Sequence, residues 1–129
     1  MLNSEEYDFN MKLTKIHKSS KDIDWIDLSS YEEEYICKGS LLKIKNFSND
    51  EPYVELIFFD PSDDETSLGL LILTGKKSGN IWVLLPKDAY YKDTRLLSTK
   101  WIMNNWDKWI APGIDIEKVK FLYQLHLCD

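Results

Sequence analysis

Residues Leu68 to Pro112 read LGLLILTGKKSGNIWVLLPKDAYYKDTRLLSTKWIMNNWDKWIAP, and no other stretch limits the fold so tightly. Two apolar runs, 68–74 and 81–85, are joined by Gly75–Lys76–Lys77–Ser78–Gly79–Asn80. A polar joint with glycines to supply positive φ predicts a β-hairpin, and Pro86 closes its second strand. Ser98 or Thr99 then caps a helix running to about residue 110, stopped by Pro112–Gly113. At about 100° per residue, Ile102, Trp106, Trp109 and Ile110 share one sector, with Met103 at its edge. Asn104, Asn105 and Lys108 face the other way. Trp106 and Trp109 are therefore expected in the core. Trp101 falls off this stripe and is expected to fold under the loop at 90–97; left exposed, it becomes a binding anchor.

The rest of the chain supplies further strands. Residues 1–10 read as a loose extension, with Met11 a candidate natural start and KLTKI after it the start of a strand. In the segment 22–35, Ser30 is placed to cap a short helical turn carrying Glu32, Glu33 and Glu34. Gly39 precedes a strand at about 40–47, and Asn49–Asp50–Glu51–Pro52 reads as a turn. Residues 53–59 form a strand too apolar for one fully wet face, and Pro61 breaks the polar loop 60–65. Residues 118–127 alternate in the manner of a final strand. Short connections between successive strands favour antiparallel pairing. The expectation is a single α+β domain over residues 1–129. Its sheet is strongly bent and mainly antiparallel, or a small SH3-like open barrel, packed against one aromatic-rich helix.

Composition narrows the function classes. With 43% apolar and 13% aromatic residues the chain can bury a core without metal or disulfide. Cys37 and Cys128 stand far apart in sequence, outside any CxxC, and are expected as reduced thiols at or near the core. His17 and His126 are isolated too, so no metal site is expected. The opening MLNSEEYDFN is polar and acidic, unlike a signal peptide, and no long apolar run is present. A cytoplasmic location, no membrane partner and a monomeric state are the expectations. The net charge of -6 is uneven: residues 1–65 hold 16 acids against 7 bases, residues 66–129 hold 6 against 9. An acidic first half disfavours nucleic acid, whose phosphates need Lys and Arg, and suits a basic partner.

Catalytic chemistry is hard to assemble from these residues. There is no GxSxG elbow, no P-loop and no HExxH. The Gly75–Gly79 segment imitates a phosphate cradle, but no helix follows it. The acids of Asp60–Pro61–Ser62–Asp63–Asp64–Glu65 lack the order of a calcium loop. No cofactor and no enzymatic activity are expected. Two rivals stay open: a small SH3-like barrel enzyme or RNA-cleaving toxin, and a generic protein-interaction domain pairing through a strand edge. An RNA-cutting surface should be basic, which this acidic chain disfavours.

Several motifs resemble the immunity protein 45 family of bacterial polymorphic toxin systems. They are Gly69–Leu70, Thr74–Gly75–Lys76–Lys77–Ser78–Gly79, Leu85–Pro86, Ser98–Thr99–Lys100–Trp101, and Asn105–Trp106 with Trp109. The earlier KGSLLKI is similar to the family's first strand. The acidic stretch from Trp25 to Glu34, the N-terminal extension and the ending YQLHLCD depart from the family pattern. The resemblance implies a non-enzymatic antidote that binds and blocks a cognate toxin domain, often a nuclease with a basic cleft, in contact-dependent inhibition or a related delivery route. On that implication the candidate toxin contacts are Glu32, Glu33, Glu34, Asp60, Asp63, Asp64 and Glu65, with Trp25 and Tyr31 as aromatic anchors.

Overall fold

A computed structural model describes residues 24–45, 51–62 and 67–124. Their secondary structure comprises β1 (Ile26–Asp27), β2 (Tyr35–Ile36), β3 (Leu41–Lys45), β4 (Tyr53–Phe59), β5 (Gly69–Ile72), β6 (Ile81–Leu84), β7 (Leu97–Ser98), α1 (Thr99–Asn104) and β8 (Lys120–Leu122). A π turn at Trp106–Ile110 follows α1, and single 3-10 turns stand at Leu28–Ser30, Lys87–Ala89 and Ile116–Lys118. Six strands form one antiparallel sheet in the order β1-β8-β3-β4-β5-β6, and β2 pairs with β7 in a separate two-stranded ribbon. The fold is α+β. The sheet is open, because β1 and β6 lie at its two edges and do not pair with each other.

Alternation of side chains explains where the core sits. In β4, Val54, Leu56 and Phe58 point inward and are buried, while Glu55, Ile57 and Phe59 stay half-buried on the other face. The register then lines up Phe121, Leu42, Leu56 and Ile72 across four strands, all on the inner face and at most 5% exposed. Against this face pack Ile102, Trp106 and Ile110 from the helical segment, with Leu28, Tyr31, Ile36 and Leu97 from the flanking chain. The buried Trp106 and the half-buried Trp82 keep their donors satisfied: Trp106 Nε1 donates to the Ile114 carbonyl at 2.9 Å, and Trp82 Nε1 to that of Ile110 at 2.7 Å.

The hairpin is built as the sequence predicts. Gly75 and Gly79 adopt φ of 89° and 90°, the left-handed region in which a Cβ is strained. The Lys76 amide donates to the Glu51 carboxylate at 2.8 Å, so the turn is tied to the start of β4 rather than open to a phosphate.

Four expectations need correction. The helix expected to run to residue 110 is two pieces: Asn105 leaves helical geometry at φ -116°, ψ 17°, and the Ala111 amide then bonds back to Trp106. A π turn spends an extra residue per turn, so positions beyond Trp106 lag behind the α-helical angle. That lag keeps Ile110 buried and rotates Trp109 out, to 39% exposure. Trp109 is thus not a core residue; it rests against the half-buried Trp101, ring centroids 6.0 Å apart. Second, Ser30 does not open a helical turn. It ends one, its hydroxyl donating to the Asp27 carbonyl at 2.8 Å, because Tyr31 must turn extended into the core. Third, the final strand expected from residue 118 begins only at Lys120, because Ile116–Lys118 form a 3-10 turn, and it ends at Leu122, leaving Tyr123 45% exposed. Fourth, Cys37 is buried and disulfide-bonded, not a reduced thiol. Separation along the chain says nothing about which thiols the fold brings together. The expectations for residues 1–16, His17, His126 and Cys128 lie outside the described residues.

Candidate functional site

The acidic triplet is held between two buried side chains. Tyr31 and Ile36 are 8% and 1% exposed, so the extended chain between them presents Glu32, Glu33 and Glu34 outward. Tyr31 packs edge-on to Phe121 with centroids 4.7 Å apart, and its hydroxyl donates to the Tyr35 carbonyl at 2.8 Å. Burial, with Glu33 nearby, pushes its phenol up to about 12. The triplet then runs into β2, whose pairing with β7 sets it beside the start of α1. Here the Thr99 amide donates to the Glu34 carbonyl at 3.0 Å, and Ser98 caps the helix by accepting from the Trp101 amide at 3.2 Å.

Three chain segments therefore enclose one groove of about 710 Å³. Ser29 and Tyr31 to Glu34 form one side; Tyr91 and Lys92 with Ser98, Thr99, Lys100 and Met103 form another; Ile116 and Glu117 complete it. The Tyr91 hydroxyl donates to Glu34 Oε2 at 2.6 Å, which ties the loop to the triplet. Lys92 lies over the Tyr91 ring at 5.1 Å. Four carboxylates, Glu32, Glu33, Glu34 and Glu117, line the groove against the two ammonium groups of Lys92 and Lys100. None of the four is ion-paired among the described residues. The groove is net acidic.

The other candidate contacts sit elsewhere. Asp60 is 12% exposed at its side chain and takes two hydrogen bonds from Arg95, Nη2 at 2.6 Å and Nε at 3.3 Å. It also accepts from the Ser62 amide at 2.8 Å. These contacts, the Arg95 bond foremost, hold its carboxyl below the usual carboxylate range. Asp60 thus clamps the loop at 90–97 to the end of β4. Trp25 is half-buried in a separate depression of about 440 Å³, with Lys43 Nζ 5.6 Å from its ring centroid. Asp63, Asp64 and Glu65 lie outside the described residues. Of the candidates, the structure brings together Glu32, Glu33, Glu34 and Tyr31.

The clamp makes a prediction about acid stability. Because the folded Asp60 carboxyl is depressed, its contribution is present above the unfolded value of about 3.9 and is lost as pH falls through the folded value. Asp60→Asn should cost about 1–2 kcal/mol at neutral pH, Arg95 being partly screened by solvent. Urea titrations should show the gap between variant and parent narrowing as pH falls below the unfolded value of about 3.9. A gap of equal size at neutral and at acid pH would rule out this role for Asp60.

Sequence reasoning placed the triplet but missed its partners. Lys100 and Met103 carry a weak signal, being three apart on α1, with Met103 only at the edge of the Trp106 stripe. Tyr91, Lys92 and Glu117 carry none, since only tertiary packing brings those loops to the groove. Among the described residues no three His, Cys, Asp or Glu side chains are grouped to hold a metal ion, and no helix is long and apolar enough to cross a membrane.

No curated protein matches the chain, and no solved structure does. The family model described as Immunity protein 45 matches residues 28–121. That span runs from the buried Leu28 to the central Phe121, enclosing every residue that lines the groove and every residue of the buried core cluster. The chain belongs to the immunity protein 45 family, which makes it an immunity protein directed against a toxin.

Proposed function

We propose that the protein neutralises its cognate toxin by direct, stoichiometric binding through the acidic groove, without turnover of its own. The observation that carries this reading is the exposed Glu32 and Glu33 at the groove's rim, beside Glu34 and Glu117, with no cation of the described chain paired to them. Unpaired carboxylates around a concavity steer a basic partner and oppose its Lys and Arg on contact. A nuclease domain, whose cleft must attract phosphates, is the toxin class of matching charge. The setting we assign is a bacterial polymorphic toxin system of the contact-dependent inhibition type, with the antidote acting in the cytoplasm. The disulfide at Cys37 weighs toward an oxidising compartment instead. Thiol labelling of the protein taken directly from cells decides between the two. Co-expression with the neighbouring toxin domain tests the function itself: growth is restored if the reading holds, and continued killing with the antidote well expressed would refute it.

A further inference from the structure

One residue lining the groove carries a buried hydroxyl with nothing to bind. Thr99 is 7% exposed, lines the groove, and its hydroxyl oxygen is buried without a hydrogen-bond partner. Buried hydroxyls are nearly always paired, because desolvating one without a partner is unfavourable. Its neighbours are already committed: the Thr99 amide to Glu34, and the Ser98 hydroxyl to the Trp101 amide. An anionic group entering here would meet the surrounding carboxylates, and a neutral one would gain a single hydrogen bond. A cationic N–H donor gains both the hydroxyl and the charge.

Resting on the toxin-binding reading above, we propose that the groove is a socket for one basic side chain of the partner, an arginine, whose N–H donates to Thr99 Oγ1. A guanidinium presents several donors in a rigid plane, so one can reach the hydroxyl while others face the Glu32 and Glu33 carboxylates. Met103 and Ile116 supply an apolar wall for the aliphatic stem. The flexible Lys100 side chain swings aside to admit the tip.

The test uses the full chain and two kinds of probe. In amide chemical-shift titrations at millimolar concentration, N-acetyl-arginine amide should move the signals of Glu32, Glu33, Glu34 and Thr99. Its uncharged citrulline counterpart should not. Against the toxin domain, Thr99→Val should bind about tenfold more weakly, the equivalent of one lost hydrogen bond. The same variant should melt at a higher temperature than the parent, since it removes an unpaired buried hydroxyl. Thr99→Ser should keep the affinity. Equal shifts with citrulline amide, or undiminished affinity of a folded Thr99→Val, would overturn the socket. If the parent chain does not bind the toxin at all, the toxin reading alone fails, and the arginine and citrulline probes still decide the socket.

Discussion

Replacing Phe121 by alanine is expected to cost about 3–5 kcal/mol, a large part of what holds a domain of this size folded. Phe121 is 0% exposed and is paired on both sides, with Ile26 of β1 and Leu42 of β3. Its ring meets Tyr31 at 4.7 Å, Tyr123 at 6.3 Å and Phe58 at 6.5 Å between centroids. No smaller side chain can keep those contacts, and the surrounding strands are too constrained to collapse onto the gap. The loss reaches beyond stability. Tyr31 leans on Phe121 and anchors one end of the acidic triplet, so the groove loosens with the core. Phe121→Leu keeps most of the volume and should cost less than about 1.5 kcal/mol. Urea denaturation reads both values; an alanine variant within about 1 kcal/mol of the parent would mean that Phe121 is not the centre of this core.

Reversing two charges is expected to abolish neutralisation while leaving the fold intact. Glu32 and Glu33 are both exposed and make no ion pair among the described residues. Glu34 is left alone because the Tyr91 hydroxyl depends on it. The double variant Glu32→Lys, Glu33→Lys should therefore change stability by no more than about 0.5 kcal/mol. Against a basic toxin surface it replaces attraction by like-charge contact, which costs several kcal/mol. About 4 kcal/mol corresponds to roughly a thousandfold weaker Kd, enough to lose protection in a growth assay. Part of the loss should appear as slower association, since the same charges steer the encounter. A folded double variant that still protects cells would remove the acidic triplet from the interface.

Which features were legible in the sequence follows from how locally each is encoded. The β5–β6 hairpin and β4 were readable because turn glycines and strand alternation are written in consecutive residues. Ser98 was readable as a helix cap for the same reason. The end of the helix was not. A π turn after Asn105 is a local backbone choice without a periodic signature, and it alone decides that Trp109 faces out while Ile110 stays in. Strands β1, β2 and β7 are two residues long, too short to show any period, and exist only because distant segments pair with them. The triplet Glu32–Glu34 was visible as a charge run. That it faces Tyr91, Lys92 and Glu117 across a groove depends on contacts between segments 57 or more residues apart in sequence, which no local pattern records. Asp60 illustrates the opposite failure: as sequence it is one acid among several in a loop, whereas the fold commits it to Arg95.

The most direct test of the toxin-binding account is isothermal titration calorimetry of the purified chain against its cognate toxin domain, repeated at low and high salt. The account predicts a one-to-one complex of nanomolar affinity that weakens as salt rises, because carboxylates at the groove carry the attraction. Absence of heat at micromolar concentrations, or an affinity indifferent to salt, would contradict it.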